Sequence, residues 1–144
     1  MLHLCHESKI DYIETMMKQF KLVDMRKRYL ELIQEAENAT MDYHDFLVLL
    51  LSVEEDGKRA RRYERLLDKA CFESLSTLAE IDYAFNPSLD KDKIDELGTL
   101  RFMDASENII VIGPPGVGKS MIATGIGKKA CQHGHHVLFV NAKE

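Results

Sequence analysis

Apolar residues in the first half of the chain recur at steps of three and four. Ile10, Ile13, Met17 and Phe20 lie on one side of a helix drawn at that period. Leu22 and Val23 lead into a second such stretch carrying Tyr29, Leu30 and Ile33. Asn38-Ala-Thr-Met41 interrupts it, and Thr40 or Asp42 stands where a third helix would take its cap. That helix carries Phe46, Leu47, Leu49, Leu50 and Val53 and continues to Leu66, Leu67 and Ala70. Gly57 falls inside it. A helix-interior glycine costs about 1 kcal/mol relative to alanine, so a bend or break is expected there.

The pattern then changes. Phe85-Asn-Pro-Ser-Leu-Asp-Lys-Asp92 reads as a turn-rich linker, and Ile94 to Met103 as a short helix with Ile94, Leu97, Leu100 (or Arg101) and Phe102 inward. Asn108-Ile-Ile-Val-Ile112 is a short β-branched run of the kind a buried parallel strand requires. Ile122, Ile126 and Ala130 follow at steps of four, and Gly134-His-His-Val-Leu-Phe-Val140 signals a second strand. The expected class is α/β. Residues 1–75 form a helical module, 76–106 a linker with a short helix, and 107–144 the start of a P-loop parallel-sheet core, incomplete because no later strand follows.

Between the first strand signal and the last helix lies Gly113-Pro-Pro-Gly-Val-Gly-Lys-Ser120, a complete phosphate-binding P-loop. Backbone N–H groups hold a triphosphate when the chain curls inward, and Gly113, Gly116 and Gly118 stand where side chains would obstruct that curl. Pro114 and Pro115 restrict φ and stiffen the approach. The following helix points its unpaired N–H groups at the phosphates. Lys119 is the expected partner of the β- and γ-phosphates, and the Ser120 hydroxyl the expected Mg²⁺ ligand. Val117 and Met121 complete the expected ATP-binding stretch. Hydrolysis needs more: an acidic residue that organises metal and water, and usually an arginine in trans.

Composition is that of an ordinary globular protein, with 45% hydrophobic and 30% charged residues in 144. No apolar run reaches membrane-spanning length, and the N-terminus lacks a secretory signal pattern. Three widely spaced cysteines, Cys5, Cys71 and Cys131, fit a reducing cytoplasm better than a disulfide framework. His3, Cys5 and His6, and again His133, His135 and His136, lack the spacing of a known metal site and read as solvated histidines. Net charge is −5, but residues 58–70 alone carry +4, through Lys58, Arg59, Arg61, Arg62, Arg65 and Lys69. On a helix, Lys58, Arg61, Arg62, Arg65 and Lys69 share one side, which suits a phosphate backbone. The competing reading is a solvated face in which Glu64 and Asp68 pair locally with these cations.

Several segments together resemble the IstB-like ATP-binding proteins, AAA+ helpers of insertion-sequence transposition related to the DnaC helicase loaders. They are Glu107 to Ser120, preceded by Phe85-Asn-Pro-Ser-Leu-Asp-Lys91 and Ile94-Asp-Glu-Leu-Gly-Thr-Leu-Arg-Phe-Met103. Upstream, Tyr43-His-Asp-Phe-Leu47, Glu54-Glu-Asp-Gly-Lys-Arg-Ala-Arg-Arg62 and Ala70-Cys-Phe72 match the helical segment before the family's core. Ala130-Cys-Gln-His-Gly-His-His-Val137 matches the stretch after the P-loop helix. The likeness runs from about residue 9 to 142. It implies ATP-dependent assembly on duplex DNA, self-association and a partner transposase. It also makes Lys58, Arg59, Arg61, Arg62 and Arg65 candidates for DNA contact.

Two local departures stand out. The family's loop usually ends in Thr-His, whereas here Ser120 keeps the hydroxyl and Met121 follows. Gly57 replaces what is commonly a charged residue. The Walker B acid, sensor residues, arginine finger and lid have no matching positions, so ATPase activity is left open. In the family's sheet the two strands signalled here are not neighbours, and later strands lie between them. Rival readings are an inactive remnant, a non-enzymatic DNA- or protein-interaction module, and helicase loading in replication.

Overall fold

The computed structural model describes residues 6–74, 76–87 and 89–141. The chain divides into two compact units, Met1–Arg61 and Arg62–Glu144.

The first unit is helical: α1 is His6–Gln19, α2 is Val23–Asn38, and α3 begins at Tyr43 and runs to Ala70. Asp42 caps α3, its Oδ1 accepting from the backbone N–H groups of His44 (2.8 Å) and Asp45 (2.9 Å). The buried face of α2 is Met25, Tyr29 and Leu32, whereas Leu30 is half exposed. The Tyr29 hydroxyl donates to Glu14 Oε1 on α1 (3.4 Å), and burial together with that carboxylate raises the phenol above its usual range.

Gly57 does not break α3, which is continuous across it. The reason is tertiary. A Cβ at Gly57 would run into the carboxylate of Asp24 and lie 3.0 Å from its Cβ. The missing side chain lets α2 start against α3. There Glu54, buried in α3, accepts from the N–H groups of Asp24 (2.9 Å) and Met25 (3.1 Å). A buried carboxylate from another helix thus supplies the cap that Leu22, at the N-cap position, lacks.

Besides holding the last turns of α3, the second unit packs its later segments around one main core. Ile81, Ile94, Leu100, Ile122, Ile126 and Ala130 are buried in it, and Leu66, Ala70 and Cys131 form a smaller cluster. Its helices are a 3₁₀ turn at Leu78–Glu80, α4 (Lys91–Gly98), α5 (Arg101–Asp104) and α6 (Lys119–Gln132). Asp90 caps α4 by accepting from the Lys93 N–H (3.1 Å). The short helix expected over 94–103 is interrupted, because Leu100 takes a left-handed φ of 64° that turns the chain while its side chain stays buried. On α6, Gly125 and Gly127 permit close approach. A Cβ would lie 2.9 Å from the Leu78 backbone nitrogen at the first and 2.8 Å from the Phe72 ring at the second.

The expected strands at 108–112 and 136–141 do not form among the described residues. Both segments lie outside any helix, and no described segment pairs with them in a ladder. Instead, the Phe139 N–H donates to the Ala70 carbonyl (2.8 Å). Side chains alternate over 137–140, whereas Ile110, Val111 and Ile112 are all exposed. Ile109, Val137 and Phe139 turn partly inward, while Ile110, Ile112, Leu138 and Val140 are exposed. A strand is defined by its neighbour. The strands that the resemblance places between these two are not present among the described residues, so the parallel sheet is not formed.

Candidate functional site

The P-loop crosses from the 108–112 segment to α6. Gly116 (φ 84°) and Gly118 (φ 92°) are both left-handed. A Cβ at either would meet nothing within 4 Å, so backbone conformation alone demands glycine at these positions. Gly113 answers a different need, since a Cβ there would press on Val117 Cγ2 at 3.3 Å. Gly118 is the N-cap of α6 and has no side chain to offer the first turn. The opening N–H groups of that 14-residue helix therefore have no side-chain cap at its positive end.

Lys119 and Ser120 occupy the first turn, and Met121 follows. Lys119 Nζ donates to the Pro114 carbonyl (2.6 Å), which folds the ammonium back over the loop. Ser120 is exposed, so its hydroxyl is accessible. Among the described residues no cluster of three or more His, Cys, Asp or Glu side chains is placed to cage a metal. The exposed Ser120 hydroxyl is the loop oxygen that could hold a hard cation.

Beside the loop is a cavity of about 180 Å³, lined on the loop side by Gly116, Val117, Gly118 and Met121 and on the other by Ile81, Phe85 and Asn86. Asn86 Nδ2 donates to the Val117 carbonyl (3.3 Å), tying the linker to the loop. Asp82 Oδ1 accepts from the N–H groups of Ala84 (2.9 Å) and Phe85 (3.1 Å), which fixes the turn that presents Phe85. The sequence marks this segment as a linker and as part of the family resemblance, not as a border of the loop. A lone phenylalanine beside Asn-Pro in a polar turn was the signal it carried.

The basic stretch divides. Lys58 pairs with Glu54 (3.7 Å), and Arg61 pairs with Asp24 and, at 3.5 Å, with Glu54. The hydrogen bond that Arg61 donates to the Asp24 carboxylate holds its guanidinium above the usual range. Arg59 pairs with Glu55 (2.8 Å). Among the described residues the ion pairs of Lys58, Arg59 and Arg61 run to Glu54, Glu55 and Asp24, carboxylates other than the Glu64 and Asp68 of the competing reading. Arg62 and Arg65 instead line a second cavity of about 180 Å³, together with Leu66, Lys69 and His136.

No described helix is long and apolar enough to cross a membrane. His133, Nδ1 lying 2.9 Å from the Lys129 carbonyl, stands at the end of α6, and His135 and His136 follow it. His3 and Cys5 lie outside the described residues.

A glycine-rich loop that curls into the start of a helix, with Lys and Ser in the first turn, defines a P-loop protein. Comparison with known proteins makes the class specific. The sequence profile of the IstB-like ATP binding protein family matches residues 15–144, and the chain belongs to that family. It is 34% identical over 128 residues to a protein described as the ATP-binding protein of insertion sequence IS21 from Pseudomonas aeruginosa, covering 89% of this chain and 48% of that one. The corresponding protein of IS5376 from Geobacillus stearothermophilus is 34% identical over 120 residues, 83% of this chain and 48% of its own length. That of IS232 from Bacillus thuringiensis subsp. berliner is 27% identical over 132 residues, 92% and 53% respectively. The chain spans about half the length of the curated relatives it matches.

Proposed function

We propose that the chain binds MgATP through Gly113–Ser120 and serves an insertion sequence by ATP-dependent assembly on duplex DNA with a partner transposase. The observation that carries the nucleotide part is Gly118, left-handed and at the N-cap of α6, with Lys119 and Ser120 directly after it. On this reading the backbone N–H groups of 116–120 receive the phosphate oxygens. Lys119 moves its ammonium from the Pro114 carbonyl to the β- and γ-phosphates. Ser120 donates its oxygen to Mg²⁺, which supplies charge neutralisation between the phosphates. Ile81 and Phe85 offer apolar surface next to the loop for the nucleotide base.

DNA contact falls to the arginine-rich part of α3, whose residues 58–70 carry a net +4 in a chain of net −5. Relatives that are described as insertion-sequence ATP-binding proteins support the biological setting. The test is titration of a fluorescent ATP analogue into the parent chain and Lys119→Ala. At least tenfold weaker binding by the variant is expected, and equal affinity would remove the case for a working loop.

A further inference from the structure

The cations of α3 do not form one uniform stripe. Lys58, Arg59 and Arg61 each have a carboxylate partner on their own helix or on α2. Beyond them, Arg62, Arg65 and Lys69 line one cavity with His136, and no carboxylate among the described residues lines it. Among the described residues neither Arg62 nor Lys69 has a carboxylate within ion-pair distance. Three formal positive charges and an imidazole thus converge on a hollow of about 180 Å³, room enough for a tetrahedral oxyanion.

The hollow is also ordered in advance. Arg62 Nη2 donates to the Gly134 carbonyl (2.8 Å), which fixes the guanidinium and leaves it further N–H donors. Gly134 is left-handed (φ 84°), and a Cβ there would lie 2.8 Å from the guanidinium carbon, so only glycine lets Arg62 lie against this turn. The same turn carries the chain from the end of α6 to His136. A fixed guanidinium fork, a lysine point charge and a ring N–H are the donors that receive a phosphate oxyanion.

We infer that Arg62, Arg65, Lys69 and His136 form an anion seat, separate from the P-loop, that takes a backbone phosphate of duplex DNA. This rests on the DNA-binding part of the function proposed above and moves the contact to the C-terminal turns of α3.

The experiment measures anisotropy of a fluorescent duplex against the parent, Lys69→Ala, Arg62→Gln and Arg59→Ala over a series of salt concentrations. In parallel, the His136 imidazole signals are followed by NMR as inorganic phosphate and then duplex are added. The seat predicts that Lys69→Ala and Arg62→Gln each weaken duplex binding about three- to tenfold and lower the salt slope by about one. Arg59→Ala should change affinity less than twofold. Micromolar duplex should shift the His136 signals, as should phosphate at far higher concentration. Lys69 is exposed, so its variant reads the seat even if Arg62→Gln loosens the Gly134 turn. Duplex binding that survives Lys69→Ala unchanged overturns the seat and leaves DNA binding standing. A parent chain that binds no duplex at low salt overturns both, and a phosphate shift at His136 would then mark a site for free phosphate.

Discussion

Gly57→Ala is expected to destabilise the chain, against the rule for helices. In a helix interior this change ordinarily gains about 1 kcal/mol. Here the new methyl would overlap the Asp24 carboxylate and sit 3.0 Å from the Asp24 Cβ. Asp24 must swing away, and its pairing with Arg61 goes with it. The two side chains are 40% and 23% exposed, so solvent screens that pair and its loss adds little. Overpacking at a helix contact costs about 1–3 kcal/mol more. Set against the propensity gain of about 1 kcal/mol, the net expectation is a loss of up to about 2 kcal/mol. Urea unfolding followed by circular dichroism measures it, with the m-value checked for constancy. Asp24→Ala removes the colliding carboxylate, so adding Gly57→Ala to that background should be close to neutral. A stabilised Gly57→Ala in the parent, or the same loss in both backgrounds, would refute the packing of α2 on α3 described here.

Two further outcomes follow from the burial pattern. Glu54→Gln keeps one acceptor for the α2 N-terminus but loses the charge that pairs with Lys58 and Arg61, and should lower stability by about 1–2 kcal/mol. An unchanged urea midpoint would show that the carboxylate contributes nothing as a cap. Cys131 is 1% exposed and burial raises its thiol, whereas Cys71 is exposed. Iodoacetamide at mild alkaline pH should label Cys71 at least tenfold faster than Cys131 until urea is added, and equal native rates by peptide mass spectrometry would contradict the core.

Much of the helical architecture was legible because it is written locally. The spacing of Ile10, Ile13 and Met17 marks α1, Asp42 stands at the cap of α3, and the loop gives way to α6 at Gly118. What was not legible depends on contacts across the chain. Gly57 looked like a breaker because its reason is Asp24, 33 residues earlier. Leu32, and not Leu30, faces inward because the axis of α2 is set by where Glu54 receives it. The basic stretch looked uniform because helical geometry shows which residues share a side, not which of them meet carboxylates from another helix. The two apolar runs carry strand signals, but a ladder is a property of two segments and neither run finds one among the described residues. The place of Phe85 and Asn86 beside the loop was not legible because a turn-forming segment looks the same whether or not it borders a cavity.

The central claim is that the backbone from Gly116 to Ser120 cradles the phosphates of a nucleotide. Residue-resolved amide NMR during a titration with ATP, first with Mg²⁺ and then with the metal chelated, tests it most directly. Phosphates held in the loop would give large, saturable shifts at Gly116, Gly118, Lys119 and Ser120 that weaken on chelation and vanish in Lys119→Ala. Unmoved amides at those four positions under saturating MgATP would contradict it.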